Sequence, residues 1–348
     1  MARSAGRTRP VIKDVAKLAG VSAPTVSRYL NGTVNVTEDK RERIAKAIKE
    51  LGYEPSIVAR ALSKREMDSV VVFAANPSAF STSETNRGVE AAARKRRFLL
   101  NIVSLDESDM DSVKARVRMG LSIRPAGVIV YEYDRAGIAA LEYIPKDMPM
   151  VVVGGSFGDG EYQVINAERD GGRWMTMHLL DLGHRTVFHV GRPEGPTDNT
   201  RTNGWRDALK ERGVTAPDPI IVPDDDLEES VKAGRTLGRR GDVTAIFAGN
   251  DETAIAVIRG LREVGRRVPA DVSVVGFDDR NFGAMWNPAL TSYTQNFLDM
   301  GERSFRMLFE QIQAKRAGDD APPSQVEVGQ GKPCLRASER AYGDGEIA

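Results

Sequence analysis

Residues 11–32 read Val11-Ile12-Lys13-Asp14-Val15-Ala16-Lys17-Leu18-Ala19-Gly20-Val21-Ser22-Ala23-Pro24-Thr25-Val26-Ser27-Arg28-Tyr29-Leu30-Asn31-Gly32. Val15, Ala16 and Ala19 share one face of a first short helix, and Gly20 suits the left-handed position that closes it. Ser22 stands as the N-cap of a second helix. Pro24 is tolerated in its first turn, where the missing N–H would be unpaired in any case. Val26 and Leu30, four residues apart, bury one side and leave Ala23, Pro24, Ser27 and Arg28 to face outward. Asn31-Gly32 breaks that helix. Thr37 caps a third, with Glu38 and Asp39 in its first turn, an apolar stripe of Ile44, Ile48 and Leu51, and Gly52 after its end.

Outward from this module the pattern changes twice. After Tyr53-Glu54-Pro55 comes a short segment, residues 56–67, with apolar residues but no length to bury them alone, which reads as a hinge helix or linker. From Ser69 onward short apolar runs alternate with helical stretches. Examples are Val70-Val71-Val72-Phe73, Gly127-Val128-Ile129-Val130, Met150-Val151-Val152-Val153, Ala245-Ile246-Phe247-Ala248 and Val272-Ser273-Val274-Val275-Gly276-Phe277. Buried strands alternating with amphipathic helices imply parallel, doubly wound sheets, and roughly 280 residues in this style fit two lobes better than one.

The 348 residues carry no formal net charge, but the balance hides an asymmetry. Residues 1–66 hold 14 Lys and Arg against 7 Asp and Glu, which leaves 35 basic and 42 acidic (49 less 14, 49 less 7) for the remaining 282. A basic module on an acidic body suits nucleic-acid binding, where phosphate contacts and counterion release dominate affinity. Cys334 is the only cysteine, so no internal disulfide can form. The first ten residues are polar and basic, unlike a secretory signal, and no apolar run could span a bilayer. A soluble cytoplasmic, nucleoid-associated protein with no membrane partner is expected.

Catalytic signals are lacking. The glycines of residues 153–160 do not form a dinucleotide-binding fingerprint before a helix, and no Walker-type loop occurs. His178, His184 and His189 have no metal-ligand company at useful spacing, and Asp224-Asp225-Asp226 reads as a solvated loop. No enzyme activity, cofactor or metal is expected.

The run from Val11 to Gly32 resembles the DNA-binding head of the lactose/galactose repressor (LacI/GalR) family. The resemblance continues through Leu51-Gly52-Tyr53-Glu54-Pro55, Val58-Ala59-Arg60-Ala61-Leu62, Asp181-Leu182-Gly183-His184-Arg185, Phe247-Ala248-Gly249-Asn250-Asp251-Glu252 and residues 267–279, in family order over nearly the whole chain. It implies an all-α helix-turn-helix head at residues 1–55, a hinge helix at 56–67 and an α/β two-lobed, periplasmic-binding-protein-like core of parallel doubly wound sheets at 68–348. Lobe 1 is expected at about 68–166 and 297–325, and lobe 2 at about 167–296 and 326–345. The implied function is that of a transcriptional repressor whose grip on operator DNA is controlled by a small-molecule effector.

In a helix-turn-helix the second helix enters the major groove and its first residues reach base edges. By resemblance Ala23, Pro24 and Arg28 select sequence; a guanidinium pairs well with guanine O6 and N7, and Ala23 and Pro24 offer apolar contact. Ser22, Thr25, Ser27, Asn31 and Thr37 match positions that hold phosphates, and Asn35 is a further candidate for a base contact. The leucine matching Leu62 wedges into the minor groove at the operator centre, with Ala59 letting two hinge helices approach. Two heads on a homodimer would match a pseudo-palindromic operator. No leucine heptads follow Pro333, so no tetramer-forming coiled coil is expected.

On the effector side the resemblance points to Arg201, Asn250, Asp278, Gln295 and Phe297. The segment at residues 76–83 should supply first-lobe contacts, with Phe80 and Ser83 as the candidates, and Trp286 is a further stacking candidate. Amides, carboxylates and an arginine in one cleft suit polyhydroxy ligands, and an aromatic plane suits a sugar ring. A sugar or sugar derivative acting as inducer is the expected effector. A nucleobase or a protein corepressor is the alternative, to which a 6% aromatic content gives little support. Gly154 and Ala167-Glu168 depart from the family pattern, which leaves the effector's identity open.

Overall fold

A computed structural model describes residues 10–30, 36–54, 67–106, 108–155, 162–193, 195, 197–223 and 226–343. The chain divides into two compact units, Met1–Asp68 and Ser69–Ala348. The hinge positions Ala59 and Leu62, and Asn31 and Asn35 in the head, lie outside the described residues.

In the first unit α1 (Ile12–Ala19), α2 (Ala23–Leu30) and α3 (Glu38–Leu51) enclose a small core of Val15, Ala16, Ala19, Val26, Val36, Ile44, Ala47 and Tyr53. Gly20 takes the left-handed conformation at φ 65°, so its N–H closes the last turn of α1 on the carbonyls of Ala16 and Lys17. The Ser22 hydroxyl accepts from the Thr25 N–H at 3.4 Å, a long capping bond at the start of α2. Thr37 occupies the N-cap position of α3, but its side chain makes no capping bond there. That expectation is corrected: backbone conformation and the acidic first turn start α3 without the hydroxyl.

Among the described residues the second unit holds two large sheets and a two-stranded one. In the first the order is β11-β5-β4-β3-β1-β2, formed by β1 (Met67–Ala74), β2 (Leu99–Ser104), β3 (Pro125–Glu132), β4 (Met150–Gly154), β5 (Gln163–Asn166) and β11 (Val326–Gly329). Strand alternation sends Val70, Val72 and Ala74 to one core and Val71 and Phe73 to another, so both faces are buried. On the first face lie α4 (Phe80–Lys95) and α12 (Phe297–Ala317), and on the second α5 (Met110–Ser122) and α6 (Arg135–Leu141). The α4–α12 packing is close because a Cβ on Gly88 would stand 2.1 Å from the Leu298 carbonyl oxygen, and one on Gly301 would stand 2.0 Å from that of Thr85.

The second sheet is parallel, in the order β7-β6-β8-β9, from β6 (Phe188–Gly191), β7 (Ile220–Ile221), β8 (Ala245–Ala248) and β9 (Ser273–Val275). The helices α7 (Glu168–Asp181) and α8 (Arg201–Glu211) cover one face, and α9 (Leu227–Gly238) and α10 (Asp251–Glu263) the other. A short α11 (Asn281–Met285) follows β9.

The chain crosses between the lobes three times. It leaves after β5, returns through β10 (Ser292–Gln295) into α12, and leaves again through β12 (Gly331–Cys334), which pairs antiparallel with β10. The last segment then lies against the second sheet, where the Val274 N–H donates to Ser338 O at 2.9 Å. One boundary differs from expectation. Residues 326–329 were assigned to lobe 2, but β11 pairs with β5 from Val326 against Gln163 and so extends the first sheet. The crossing comes at about residue 330, because the open edge of β5 offers unpaired backbone that the returning chain satisfies.

Candidate functional site

The head presents a mixed face. Val26 is the buried residue of α2; Pro24 and Arg28, four apart, lie exposed on the opposite side with Ser22 before them, and Ala23, Thr25 and Ser27 are half-buried between. The Ser22 and Thr25 hydroxyls lie 2.8 Å apart. Of the outward set inferred from i,i+4 spacing, Pro24 and Arg28 are exposed, whereas Ala23 and Ser27 are half-buried and Ala23 packs against the head core.

In the second unit a cleft of about 630 Å³ opens where the carboxyl ends of the strands of both sheets meet. Its wall joins Ala74-Ala75-Asn76 after β1, Tyr131, Tyr133 and Asp134 around the end of β3, and the N-terminus of α4 to Thr197, Asn199 and Thr200 before α8. Its central charge is Arg201, the first residue of α8, which is buried. Nη2 donates to Asp278 Oδ1 at 2.8 Å and to Glu168 Oε1 at 3.1 Å, and Nη1 donates to Gly249 O at 2.5 Å and to Asp278 Oδ2 at 3.3 Å. The guanidinium lies 4.1 Å over the Phe277 ring. Burial opposes its charge, but Asp278 and Glu168 outweigh that and push its pKa up.

Behind Arg201 a second layer is fixed. Gln295 Nε2 donates to Asp278 Oδ1 at 3.0 Å. His189, on β6, is neutral: burial drives its pKa down to about 4. Its Nδ1 faces Phe247 O at 2.8 Å and its Nε2 faces Thr202 Oγ1 at 3.1 Å, so the tautomer protonated on Nδ1 satisfies both. Tyr133 reaches the cleft with a buried hydroxyl that has no hydrogen-bond partner. Burial pushes the phenol's pKa up, and the nearby Glu168 carboxylate adds to the shift. Asp251 is a buried carboxyl raised to about 7 by burial, although Ser292 Oγ (2.6 Å) and the Arg280 N–H (2.5 Å) donate to it.

Of the eight expected effector residues, Arg201 stands on the cleft wall and Asp278 and Gln295 stand directly behind it. Asn250 is the N-cap of α10, its Oδ1 accepting from the Thr253 N–H at 2.8 Å. Phe80 and Phe297 meet edge to face at 5.8 Å, and Arg280 covers Phe80 at 4.1 Å, so neither ring is on the wall. Ser83 is corrected: it is exposed on α4, and Ser81 and Thr82 line the cleft instead. A single residue turns a helix by about 100°, enough to carry a side chain off the wall. Trp286 is also corrected, because it lies 40% exposed at the end of α11 and off the cleft. The expected first-lobe segment does reach the wall, through Asn76, Ala79, Ser81 and Thr82, whereas Tyr133 and Asn199 carried no expectation; the available signal was that every strand end at a parallel-sheet cleft contributes.

Residues 11–56 match the model of the bacterial regulatory proteins, lacI family, and residues 176–338 match a periplasmic binding protein-like domain. The HTH-type transcriptional repressor PurR of Proteus mirabilis (strain HI4320) is 34% identical over 322 residues, covering 90% of this chain and 93% of its own. The solved structure of the Lac repressor dimer bound to operator and the anti-inducer ONPF superposes with a TM-score of 0.82 at 26% identity, over 96% of this chain and 100% of that one. The transcriptional regulator CelR in complex with cellobiose gives 0.68 at 28% identity, over 95% and 100%. With the helical head, the parallel two-lobed core and the buried arginine cleft in place, these likenesses establish that the chain belongs to the lacI family of bacterial regulatory proteins, as a DNA-binding transcriptional repressor.

Proposed function

We propose that the chain represses transcription as a homodimer on a pseudo-palindromic operator, and that a sugar or sugar derivative in the cleft acts as inducer. The observation that carries this reading is the wall around Arg201. The Thr200 hydroxyl and the Asn76 and Asn199 amides keep hydrogens to donate, although their oxygens already accept from the N–H groups of Asn203, Ala79 and Arg169, and Tyr133 adds a buried hydroxyl with no partner. The phenylalanine planes nearby are already covered, Phe277 by Arg201 and Phe80 by Arg280, so the aromatic residues on the wall are Tyr131 and Tyr133. On the DNA side, Ala23, Pro24 and Arg28 read base edges, with Ser22, Thr25, Ser27 and Thr37 beside phosphates.

The relatives named PurR favour a second reading, with a nucleobase as corepressor. Isothermal titration of the full chain with monosaccharides, cellobiose, sugar phosphates, guanine and hypoxanthine separates the two. Saturable binding of a sugar, abolished by Arg201→Leu in a variant that still folds, supports the inducer reading. Binding of a base with no response to any sugar refutes it.

A further inference from the structure

The first lobe carries a positive rim at the end of its sheet where the chain enters. β3, β1 and β2 are neighbours in the sheet order, and β1 and β2 run parallel with Ser69 opposite Leu99. The residues that lead into these strands are therefore brought to one edge. Arg97 stands two residues before β2, Arg124 immediately before β3, and Arg118 in the last turns of α5. Arg94-Lys95-Arg96-Arg97, Arg118 and Arg124 are all exposed.

Some of this charge has a local explanation. Arg94 and Lys95 close the C-terminal turn of α4, where cations are favoured, and pair with Glu90 at 3.5 Å and Glu302 at 3.3 Å; Arg96 lies over the Phe309 ring. Arg97, Arg118 and Arg124 do not. Their side chains have no ion-pair or hydrogen-bond partner among the described residues, although Asp68, the second residue of β1, falls at the same end of the sheet. Arg97 and Arg124 also hold left-handed backbone, at φ 62° and 52°, where glycine or asparagine would be less strained. Two arginines kept in that conformation at one sheet end, on a body with 35 basic against 42 acidic side chains from residue 67 onward, form a positive island on an acidic surface.

The island surrounds the start of β1, the point at which the chain arrives from the basic, DNA-binding head. We propose that it is a second DNA contact, sequence-independent, in which Arg97, Arg118 and Arg124 bind backbone phosphates outside the stretch read by the head. Each such contact releases condensed counterions, so it steepens the salt dependence of binding without changing sequence preference.

The test is fluorescence anisotropy of the full chain on a labelled 40-bp mixed-sequence duplex between 50 and 200 mM KCl. The parent is compared with the triple variant Arg97→Gly, Arg118→Gln, Arg124→Gly, and with Arg239→Gln on the second lobe as a charge control. The triple variant is expected to bind at least tenfold more weakly at low salt. Its slope of log affinity against log salt should be shallower by about 0.9 per phosphate lost, up to about 2.7 per protomer. Its thermal midpoint should hold or rise, because glycine relieves the left-handed positions, so misfolding would not account for the loss. An unchanged slope overturns the proposal and points to an acidic protein as the rim's partner. An equal change in the Arg239→Gln control also overturns it, since net charge alone would then suffice. A parent chain that does not bind the duplex overturns this proposal together with the repressor reading.

Discussion

Replacing Arg201 with leucine removes one half of a buried ion pair and leaves Asp278 in place, 9% exposed and held by one amide donor, Gln295 Nε2 at 3.0 Å. Breaking a buried pair from one side costs about 3–5 kcal/mol, because the remaining charge stays desolvated without its partner. The bond to Glu168 adds little, since that carboxylate is 30% exposed and screened. At about 2–4 °C per kcal/mol for a unit of this size, the melting midpoint of the core should fall by roughly 6–20 °C. Differential scanning calorimetry at pH 7 measures it. The double variant Arg201→Leu, Asp278→Leu should lose less than the sum of the two single variants, by about 0.5–3 kcal/mol. A single variant within 1 kcal/mol of the parent, or strict additivity in the cycle, would refute the ion pair as the organising contact of the cleft.

Four further outcomes are expected. The raised Asp251 stabilises the fold below its unfolded value of 3.8 and loses that contribution as pH climbs to about 7, whereas the depressed His189 contributes above 6.5 and loses it as pH falls to about 4. The two slopes oppose each other at about 1.4 kcal/mol per pH unit each, so urea melts of His189→Gln should lose about 2–3 kcal/mol relative to the parent between pH 4.5 and 6.5; parallel profiles would contradict this. Gly88→Ala drives a Cβ to 2.1 Å from the Leu298 carbonyl oxygen and should destabilise the core by about 1–3 kcal/mol, seen as a lower urea midpoint. Arg28→Gln in the head should cost about 1–3 kcal/mol on the operator and relax preference at one base pair, whereas Leu62→Ala in the hinge segment should weaken operator binding and leave mixed-sequence binding nearly intact; equal losses on both DNAs would count against the minor-groove wedge.

The head was readable because its signals are local. Gly20 and Gly52 are where left-handed closure is needed, and Val26 fixes which side of α2 is buried. The strands were readable because a parallel sheet covered on both faces demands continuous apolar runs, as in Val70–Phe73 and Ala245–Ala248. What escaped was set by distant partners. Residues 326–329 alternate as any half-buried strand would, and only the free edge of β5 decides which sheet they join. The polar stretch that holds Ser83 does not reveal its helical phase in sequence, and Thr82, one residue away, is the one on the wall. Phe80 carries an aromatic plane legible in sequence, but nothing local tells that Arg280, 200 residues later, covers it. Nothing local marks Tyr133, whose environment depends on Glu168 and Arg201, distant in sequence.

The central claim is that occupancy of the Arg201 cleft and the grip of the head on DNA are coupled. The most direct measurement is anisotropy titration of the full chain on a pseudo-palindromic duplex with a central CG step, with and without the ligand found by calorimetry. The ligand's own affinity is then measured with and without the duplex. The account predicts that a sugar weakens DNA binding by about 5–150-fold and that the duplex weakens sugar binding by the same factor, as linkage requires. A ligand that saturates the cleft while leaving operator affinity unchanged would contradict it.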